Sequence, residues 1–231
     1  MSRYEFVLFD ADDTLLDFKR SEHEAVCDVM HSFGLPVSDD IVEKYSRIND
    51  MHWKMLEKGE IEKKRLYYSR WEKFCEFYGY SCDPAKVAKK YEECLSNKSY
   101  LMEGALDLCQ KLYGKCKIYL VTNGNKRVQE GRFNPSALHT YFEGIFISED
   151  IGYEKPRAEF FDRVFSRIPG FIHERTIIVG DSLTSDIAGG INAGIDTCWY
   201  NPKSKPTPEN MEITYIKNNL SEIEDVVLWG K

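Results

Sequence analysis

The sequence predicts an α/β fold in which a doubly wound parallel sheet carries an inserted set of helices. Short apolar runs rich in β-branched residues recur along the chain, separated by segments of helical periodicity as in β-α-β units. The first two runs lie about a hundred residues apart, whereas a single crossover helix needs far fewer. The chain is therefore expected to form a sheet-based core with a helical unit inserted after the first strand.

Six apolar runs are the candidate strands of this core. Their apolar residues are nearly continuous rather than alternating with polar ones, which is typical of strands that helices cover on both faces. The sixth run is the weakest of the set. The predicted strands span residues 4–9, 117–122, 144–148, 176–180, 197–200 and 213–216.

Four helices are predicted in the long gap after the first strand. Residues 19–33 form the first helix, and Ser38 is placed to cap the second. The third follows Gly59, and the fourth begins at Pro84 directly after an N-cap at Asp83. The spacing of these signals predicts a bundle of helices rather than a connecting loop.

This interpretation divides the chain into two units. Residues 1–16 and 97–231 are expected to form the α/β core, and residues 17–96 a small α-helical cap domain. Aromatic residues line the predicted cap helices at helical spacing, a pattern that favours packing in a helical core over a base-stacking surface. These aromatic residues are Trp53, Tyr67, Tyr68, Trp71, Phe74 and Tyr78.

Composition excludes several classes of function. The 231-residue chain has a formal net charge of −7, and its 31 basic residues form no block, so we expect no binding to nucleic acid polymers or membranes. No apolar stretch approaches the ~20 residues that span a bilayer, and the N-terminus lacks the apolar centre of a secretory signal. We expect a cytoplasmic protein that acts as a monomer or homodimer.

The cysteines give no indication of a covalent framework. The chain contains seven of them, an odd number, and no C-x-x-C pair. Neither a set of disulfides nor a zinc site is therefore predicted. We expect the cysteines to be reduced and most of them to be packing residues.

Polar residues follow the predicted strands at their carboxyl ends. In a doubly wound parallel sheet these ends meet at one edge, where ligands bind near the switch in strand order. Side chains from four separate segments are therefore expected to converge there. They are Asp10 and Asp12 after the first strand, Thr122 and Asn123 at the end of the second, Lys155 in the loop after the third, and Asp181 and Asp186 after the fourth.

This set of side chains predicts metal-assisted phosphoryl chemistry. Asp10 and Asp181 can both stay charged if a hard divalent cation lies between them, and carboxylates with a backbone carbonyl and water are the ligands that Mg²⁺ prefers. Asp10 is then a candidate nucleophile that attacks phosphorus and forms an aspartyl-phosphate. Asp12 is placed to donate a proton to the leaving oxygen and later to accept one from water.

The remaining side chains of the set suit a phosphate group. Thr122 and the backbone N–H groups of the turn that contains Asn123 are expected to hold phosphate oxygens. Lys155 is expected to neutralise charge on the nucleophile and on the phosphate. The predicted ligand is a small phosphorylated metabolite.

These motifs resemble those of the haloacid dehalogenase-like (HAD) phosphohydrolase superfamily over essentially the whole chain. The D-x-D-x-T motif of the family matches Asp10–Thr14, and the strand-end threonine matches Thr122. The family lysine matches Lys155 in E-K-P, and G-D-S-x-x-x-D matches Gly180–Asp186. Each motif is weak alone, but together, in this order and at these strand ends, they are very specific.

The resemblance implies a role for each acid. Asp10 would be the nucleophile, and Asp12 would be the general acid and base with its backbone carbonyl on Mg²⁺. Asp181 would bind the metal directly, whereas Asp186 would more often orient a metal-bound water. The resemblance also implies a Rossmann-like core and a helical cap that closes over the site.

Other functions on the same fold stay open at this point. A haloacid dehalogenase shares the nucleophilic aspartate, but such enzymes need no metal and typically lack an acid at the position of Asp12. Phosphomutases of the family commonly have glycine where this chain has Asp13. A catalytically inactive binding protein on the same fold is the alternative from a different class.

A finer resemblance concerns the substrate. The stretches FDADDTL, VTNG, SEDIGYEKP and GDSLTSDIAGG are similar to those of house-cleaning pyrimidine 5′-nucleotidases. The proline in RFNPSAL is a departure from that group. We expect a pyrimidine nucleoside 5′-monophosphate as substrate, with phosphoglycolate or a sugar phosphate as the alternative.

Other residues near the motifs are assigned no chemistry. Thr14 is expected to bind the backbone of its own loop. The sequence leaves open whether Arg127 and Arg132 face solvent or the inserted helices. Three further aspartates are expected to be turn formers or helix caps, namely Asp13, Asp17 and Asp150.

Overall fold

The core of the protein is a six-stranded, fully parallel sheet. The computed structural model describes residues 2–231. The spatial order of the strands is β3-β2-β1-β4-β5-β6, so the chain winds outward from β1 first to one side and then to the other. The strands are β1 (Phe6–Phe9), β2 (Lys117–Thr122), β3 (Gly144–Ile147), β4 (Thr176–Gly180), β5 (Asp196–Tyr200) and β6 (Tyr215–Lys217).

Both faces of this sheet are buried, as the continuous apolar runs predict. Successive side chains of a strand point to opposite faces. Val7 and Phe9 of β1 accordingly pack in one apolar cluster, whereas Phe6 and Leu8 pack in another. The prediction of a doubly wound α/β sheet is confirmed.

Six α-helices outside the insertion cover the sheet or flank its edge. These helices lie in the segments that connect or follow the strands, where apolar residues recur at helical spacing. Three short 3₁₀ turns and a π-helical turn, Leu183–Ile187, complete the core. The helices are α5 (Ala105–Leu112), α6 (Lys126–Phe133), α7 (Ser148–Ile151), α8 (Ala158–Phe165), α9 (Ala188–Asn192) and α10 (Ile223–Trp229).

Four helices lie between β1 and α5, as predicted. They are α1 (Phe18–Ser32), α2 (Asp39–Glu57), α3 (Lys63–Tyr78) and α4 (Pro84–Ser96). The predicted caps are present: the Ser38 side chain accepts from the backbone N–H of Ile41, and Asp83 accepts from that of Ala85. Capping at these positions fixes where α2 and α4 begin.

The inserted helices have an apolar core of their own. Tyr45 stacks on Trp71 with ring centroids 4.1 Å apart. Phe74 packs edge-on against both rings, and Tyr91 packs edge-on against Trp71. All four side chains are buried. For Trp71 and Phe74, the prediction that the aromatic stripe is core rather than a binding surface is confirmed.

Two chain segments connect the inserted helices to the sheet, and they are hydrogen-bonded to each other. The Asp17 N–H donates to the carbonyl of Tyr100 over 2.9 Å, and the Met102 N–H donates to the carbonyl of Leu15 over 2.9 Å. The division into residues 17–96 and the remainder stays a prediction.

The prediction of seven reduced cysteines is wrong for one pair. Cys75 near the end of α3 and Cys82 before α4 form a disulfide, with their Cα atoms 6.7 Å apart. The chain reverses between them at Gly79, whose φ of +67° is readily adopted only by glycine. This reversal brings back a cysteine that lies seven positions away in sequence.

Among residues 2–231, no helix is long and apolar enough to cross a membrane.

Candidate active site

The predicted site residues meet at the carboxyl edge of the sheet. Asp10 follows β1, Thr122 ends β2, and Asp181 follows β4. Because β1 lies between β2 and β4, the three strand ends are adjacent. They line a cleft of about 760 Å³ together with Lys155 and Asp186. That volume is within the range of ordinary small-molecule sites.

Three carboxylates cluster at the base of this cleft. One oxygen from each of Asp10, Asp181 and Asp186 lies within 4.8 Å of the others. Asp186 reaches the cluster from the π-helical turn, and its Oδ2 accepts from the backbone N–H of Ser182 over 3.1 Å. A Cβ atom at Gly180 would overlap the Asp186 carboxylate, so the glycine of the G-D-S motif makes room for the cluster.

Lys155 lies between two of the acids. Its ammonium donates to Asp10 Oδ1 and to Asp186 Oδ1 over 2.7 Å each, and to the Val121 carbonyl over 2.8 Å. Burial alone would lower the pKa of Lys155, but Asp10 and Asp186 together outweigh burial and raise this pKa above its ordinary value. Lys155 is therefore a buried, fully hydrogen-bonded cation rather than a surface lysine.

The cluster carries more negative charge than Lys155 can balance. Burial, followed by the charge of Asp186, raises the pKa of Asp10 to about 8, although Lys155 acts in the opposite direction. Burial and the charges of Asp10 and Asp186 also raise the pKa of Asp181 well above its ordinary range. Three carboxylates face one ammonium, and a hard divalent cation with oxygen ligands fits this excess of charge.

Thr122 and Asn123 are held by the loops around them. The Thr122 hydroxyl oxygen accepts from the Gly124 N–H over 3.0 Å and from Gln129 Nε2 over 2.7 Å. Both acceptor positions of this hydroxyl are used, so its hydrogen is available to a further acceptor such as a phosphate oxygen. The Asn123 amide instead binds the backbone N–H and carbonyl of Lys155, over 2.8 Å each, and fixes the lysine loop.

Asp12 lies apart from the carboxylate cluster and is held by α6. Its Oδ1 forms an ion pair with Arg132, and its Oδ2 accepts from Gln129 Nε2 over 2.9 Å. The sequence leaves the surroundings of Arg132 open, and the structure places this side chain fully out of solvent. Sequence reasoning missed Gln129 altogether. A signal was present in the sequence: Gln129 and Arg132 lie one helical turn apart, next to the apolar Val128 and Phe133, which places both polar side chains on the buried face of a short helix.

Comparison with known proteins gives the family of the chain. Residues 4–194 match the family model described as haloacid dehalogenase-like hydrolase. The chain belongs to this family. The resemblance inferred from the motifs is thus confirmed, and so is the prediction that the protein is an enzyme of the hydrolase class.

Individual relatives cover nearly the whole hydrolase. It is 39% identical to the HAD-hydrolase YfnB of Bacillus subtilis over 98% of this chain and 97% of that protein. A crystal structure of YfnB bound to magnesium, which is described as revealing interdomain movement, matches with a TM-score of 0.93. The match between the two structures covers 97% of this chain and 98% of the YfnB chain, at 39% sequence identity.

Two other relatives are named as pyrimidine 5′-nucleotidases. PynA of Streptococcus pneumoniae is 37% identical over 92% of this chain and 90% of that protein. YjjG of Escherichia coli is 28% identical over 97% of this chain and 98% of that protein. The finer resemblance to this group of hydrolases is therefore also confirmed.

The inserted helices of the hydrolase supply the wall opposite the carboxylate cluster. Phe18 from α1 and Asn49, Trp53 and Glu57 from α2 line the same cleft. Glu57 accepts a hydrogen bond of 2.8 Å from the Thr184 hydroxyl, which links α2 to the turn that carries Asp186. Trp53 is only partly buried, in contrast to the aromatic residues of the cap core.

The residues without predicted chemistry have mostly structural contacts. Asp13 has a left-handed backbone (φ +57°), and its side chain accepts from the backbone N–H groups of Phe18 and Lys19. Asp17 caps α1, as expected. Asp150, predicted to form a turn or a cap, forms an ion pair of 2.8 Å with Lys126 on the surface.

The expectation for Thr14 is wrong. Its hydroxyl is buried and has no hydrogen-bond partner among residues 2–231, although it was expected to bind its own loop. The backbone groups of the loop are engaged elsewhere: the N–H groups of Leu15 and Leu16 both donate to the Ala11 carbonyl. The threonine side chain is therefore directed into the core.

Proposed function

We propose that the hydrolase is a Mg²⁺-dependent phosphomonoesterase that acts through an aspartyl-phosphate. The observation that carries the proposal is the cluster of Asp10, Asp181 and Asp186 within 4.8 Å, with Lys155 hydrogen-bonded to two of its members. One of these carboxylates, Asp10, directly ends the central strand and faces the open cleft. Such an arrangement suits a nucleophile held next to a cation site.

The residues that would hold the metal are Asp10, Asp181, the backbone carbonyl of Asp12 and, directly or through water, Asp186. Their oxygens form the donor set that Mg²⁺ prefers. When bound, Mg²⁺ would offset the charge of the carboxylates and of the substrate phosphate. The YfnB crystal structure bound to magnesium supports Mg²⁺ as the metal.

The protein residues then divide the reaction between them. A carboxylate oxygen of Asp10 attacks phosphorus, the bond from phosphorus to the leaving oxygen breaks, and Asp12 gives its proton to that oxygen. Water next attacks phosphorus, Asp12 takes a proton from it, and the bond between Asp10 and phosphorus breaks. Lys155 and the Thr122 hydroxyl bind the phosphate oxygens throughout.

The alternatives fit the site less well. A dehalogenase needs no cation, yet three carboxylates of this cluster lie around one ammonium, an arrangement that a bound cation fits. An inactive binding protein would not require Asp12 to be held by a buried guanidinium beside the cleft. The phosphomutase alternative has no supporting observation, since Asp13 serves only as a cap for the start of α1.

For the substrate, we propose a pyrimidine nucleoside 5′-monophosphate. The names of PynA and YjjG support this choice, and the partly buried Trp53 in the cleft wall offers a ring for stacking of the base. Stacking of one base contributes about 1–3 kcal/mol. We therefore expect nucleotides to be preferred within a broad range of phosphomonoesters.

The test is a comparison of kcat/KM at one Mg²⁺ concentration for dUMP, dTMP, UMP, AMP, phosphoglycolate and glucose 6-phosphate. The pyrimidine nucleotides are expected to rank first. If phosphoglycolate or the hexose phosphate exceeds them by roughly tenfold or more, one stacked ring could not offset the difference and the nucleotidase proposal fails. Activity that is undiminished in EDTA would refute the phosphatase mechanism itself.

A further inference from the structure

Every side-chain nitrogen of Arg132 has a hydrogen-bond partner. Its side chain is fully buried, and its guanidinium forms the ion pair with Asp12. Nη1 also lies 3.3 Å from Gln129 Oε1, Nη2 donates to the Ser21 hydroxyl over 3.4 Å, and Nε donates to the Lys98 carbonyl over 3.1 Å. A buried arginine that is paired and hydrogen-bonded at every nitrogen has one orientation.

Two of these partners, Ser21 and Lys98, lie where the inserted helices join the rest of the chain. Ser21 is in the first turn of α1, and Lys98 follows α4. The Ser21 hydroxyl lies 2.7 Å from the carbonyl of Asp17 and 3.2 Å from that of Lys98, so its one hydrogen is shared between acceptors on the two segments. The position of Arg132 is thus set by the connection between the two units.

Both carboxylate oxygens of Asp12 are bound by side chains of α6. Arg132 binds Oδ1 and Gln129 binds Oδ2, while the same Gln129 amide binds the Thr122 hydroxyl. The side chain of Asp12 is 29% exposed to the cleft, so without these contacts it would be free to turn. A displacement of about 1 Å at a reacting group can cost a factor of 10² in rate.

We propose that Arg132 is a positioning residue that holds Asp12 in place for proton transfer. The proposal rests on the proposed function, because it assigns Arg132 a role only if Asp12 acts as general acid and base. Arg132 and Gln129 hold the two oxygens of Asp12, and hydrolysis needs one of these oxygens within reach of the attacking water, whereas a good leaving group can depart with little help from Asp12. Loss of Arg132 therefore impairs hydrolysis of the aspartyl-phosphate more than its formation.

The experiment separates these two steps. With p-nitrophenyl phosphate and Mg²⁺, the leaving phenolate needs little help from an acid, so enzyme phosphorylation depends weakly on Asp12. The variants are Arg132→Met and Arg132→Lys, with Arg127→Met as the matched control, since Arg127 is an exposed arginine on the same helix. Rapid quenching measures the formation and decay of the covalent phospho-enzyme.

In Arg132→Met, the rate constant of phospho-enzyme hydrolysis should fall by about 10- to 100-fold. The rate constant of phospho-enzyme formation should stay within about twofold of the wild type, and the phospho-enzyme should accumulate to at least the wild-type fraction of the enzyme. Both rate constants should stay within about twofold of the wild type in Arg127→Met. Arg132→Lys keeps the charge and should show the same selective loss to a smaller extent. It also provides the test if the methionine variant does not fold. Equal losses in both steps, or unchanged hydrolysis, would overturn the proposal.

A double variant links the effect to Asp12. Asp12→Asn alone should slow hydrolysis by ~10²–10⁴-fold, and adding Arg132→Met should change that rate by less than about twofold. If the loss in the double variant equals the product of the losses in the two single variants, Arg132 does not act through Asp12 and the proposal is refuted. If Asp12→Asn does not slow hydrolysis, the proposed role of Asp12 fails and this proposal with it. If Asp12→Asn slows hydrolysis and the Arg132 variants do not, only this proposal fails.

Discussion

Replacing Lys155 by methionine would remove the ammonium that lies among the carboxylates of the cleft. Lys155 is 1% exposed, and all three of its hydrogens are donated, to Asp10, to Asp186 and to the carbonyl of Val121. Methionine fills a similar volume but offers no charge and no donor. The substitution thus leaves crowded carboxylates without the cation that the protein itself provides.

The expected cost follows from the burial of the pair. Removing one partner of a buried ion pair typically costs about 3–5 kcal/mol, because the remaining charge is left uncompensated. Lys155 faces two carboxylates and a carbonyl, so we expect the upper part of this range. The unfolding free energy of Lys155→Met in EDTA at pH 7 should lie about 4–5 kcal/mol below that of the wild type.

Urea unfolding followed by tryptophan fluorescence measures this difference. Lys203→Met is a matched control, because Lys203 lines the same cleft but is exposed. Its unfolding free energy should stay within about 0.5 kcal/mol of the wild type. A similar loss in both variants would indicate that net charge, rather than the buried contacts of Lys155, sets the stability.

A second variant tests the charge argument directly. In Asp10→Asn/Lys155→Met, one carboxylate of the cluster is neutral, so less repulsion remains when Lys155 is absent. This double variant should be more stable than Lys155→Met by about 1 kcal/mol or more, since residues in contact couple by about 0.5–3 kcal/mol. Our account of the cluster is wrong if Lys155→Met is as stable as the wild type in EDTA, or if the double variant recovers nothing.

Three further predictions concern other groups. Asp10→Asn should abolish turnover of p-nitrophenyl phosphate, because the attacking carboxylate is lost. Its unfolding free energy should stay the same or increase, because a neutral amide replaces a crowded carboxylate. Substantial remaining turnover would exclude Asp10 as the nucleophile. Asp181→Ala should raise the Mg²⁺ concentration for half-maximal activity by about tenfold or more, and an unchanged titration curve would contradict its role as a ligand. Burial lowers the pKa of Lys63 to about 8, although the charges of Glu149 and Glu154 act in the opposite direction. Between about pH 8 and 10.5, the unfolded chain therefore binds more protons than the folded protein, and the unfolding free energy should increase as the pH rises through this range. Lys63→Met should lack this gain, and parallel stability curves for the two proteins would refute it.

Sequence was sufficient to predict the sheet and the cluster at its edge, because both depend on short-range patterns. A continuous apolar run followed by an acid marks a strand end, and parallel strands bring their ends together whatever the loops between them do. Asp10, Thr122 and Asp181 are placed by this rule alone. Caps such as Ser38 and Asp83 were predictable for the same reason, since each acts on the backbone of its own helix.

The contacts of Asp12 could not be predicted in this way. Arg132 lies 120 positions from Asp12, and its position one turn after Gln129 indicates a buried pair on the helix but does not identify Asp12 as the partner. Its burial depends on how α6 packs against α4 and the connecting segments. The disulfide between Cys75 and Cys82 likewise depends on a chain reversal at Gly79 that C-x-x-C rules do not describe.

The two aspartates of the first motif lie in opposite electrostatic surroundings, although they are only two residues apart. Asp10 lies among acids, and Lys155 offsets only part of their charge, so a bound cation would be needed to keep all of them ionised. Asp12 has its own fixed cation in Arg132 and does not depend on that site. In the mechanism proposed above, loss of the cation would therefore act on Asp10, whereas the Asp12 carboxylate would still be held by Arg132 and Gln129.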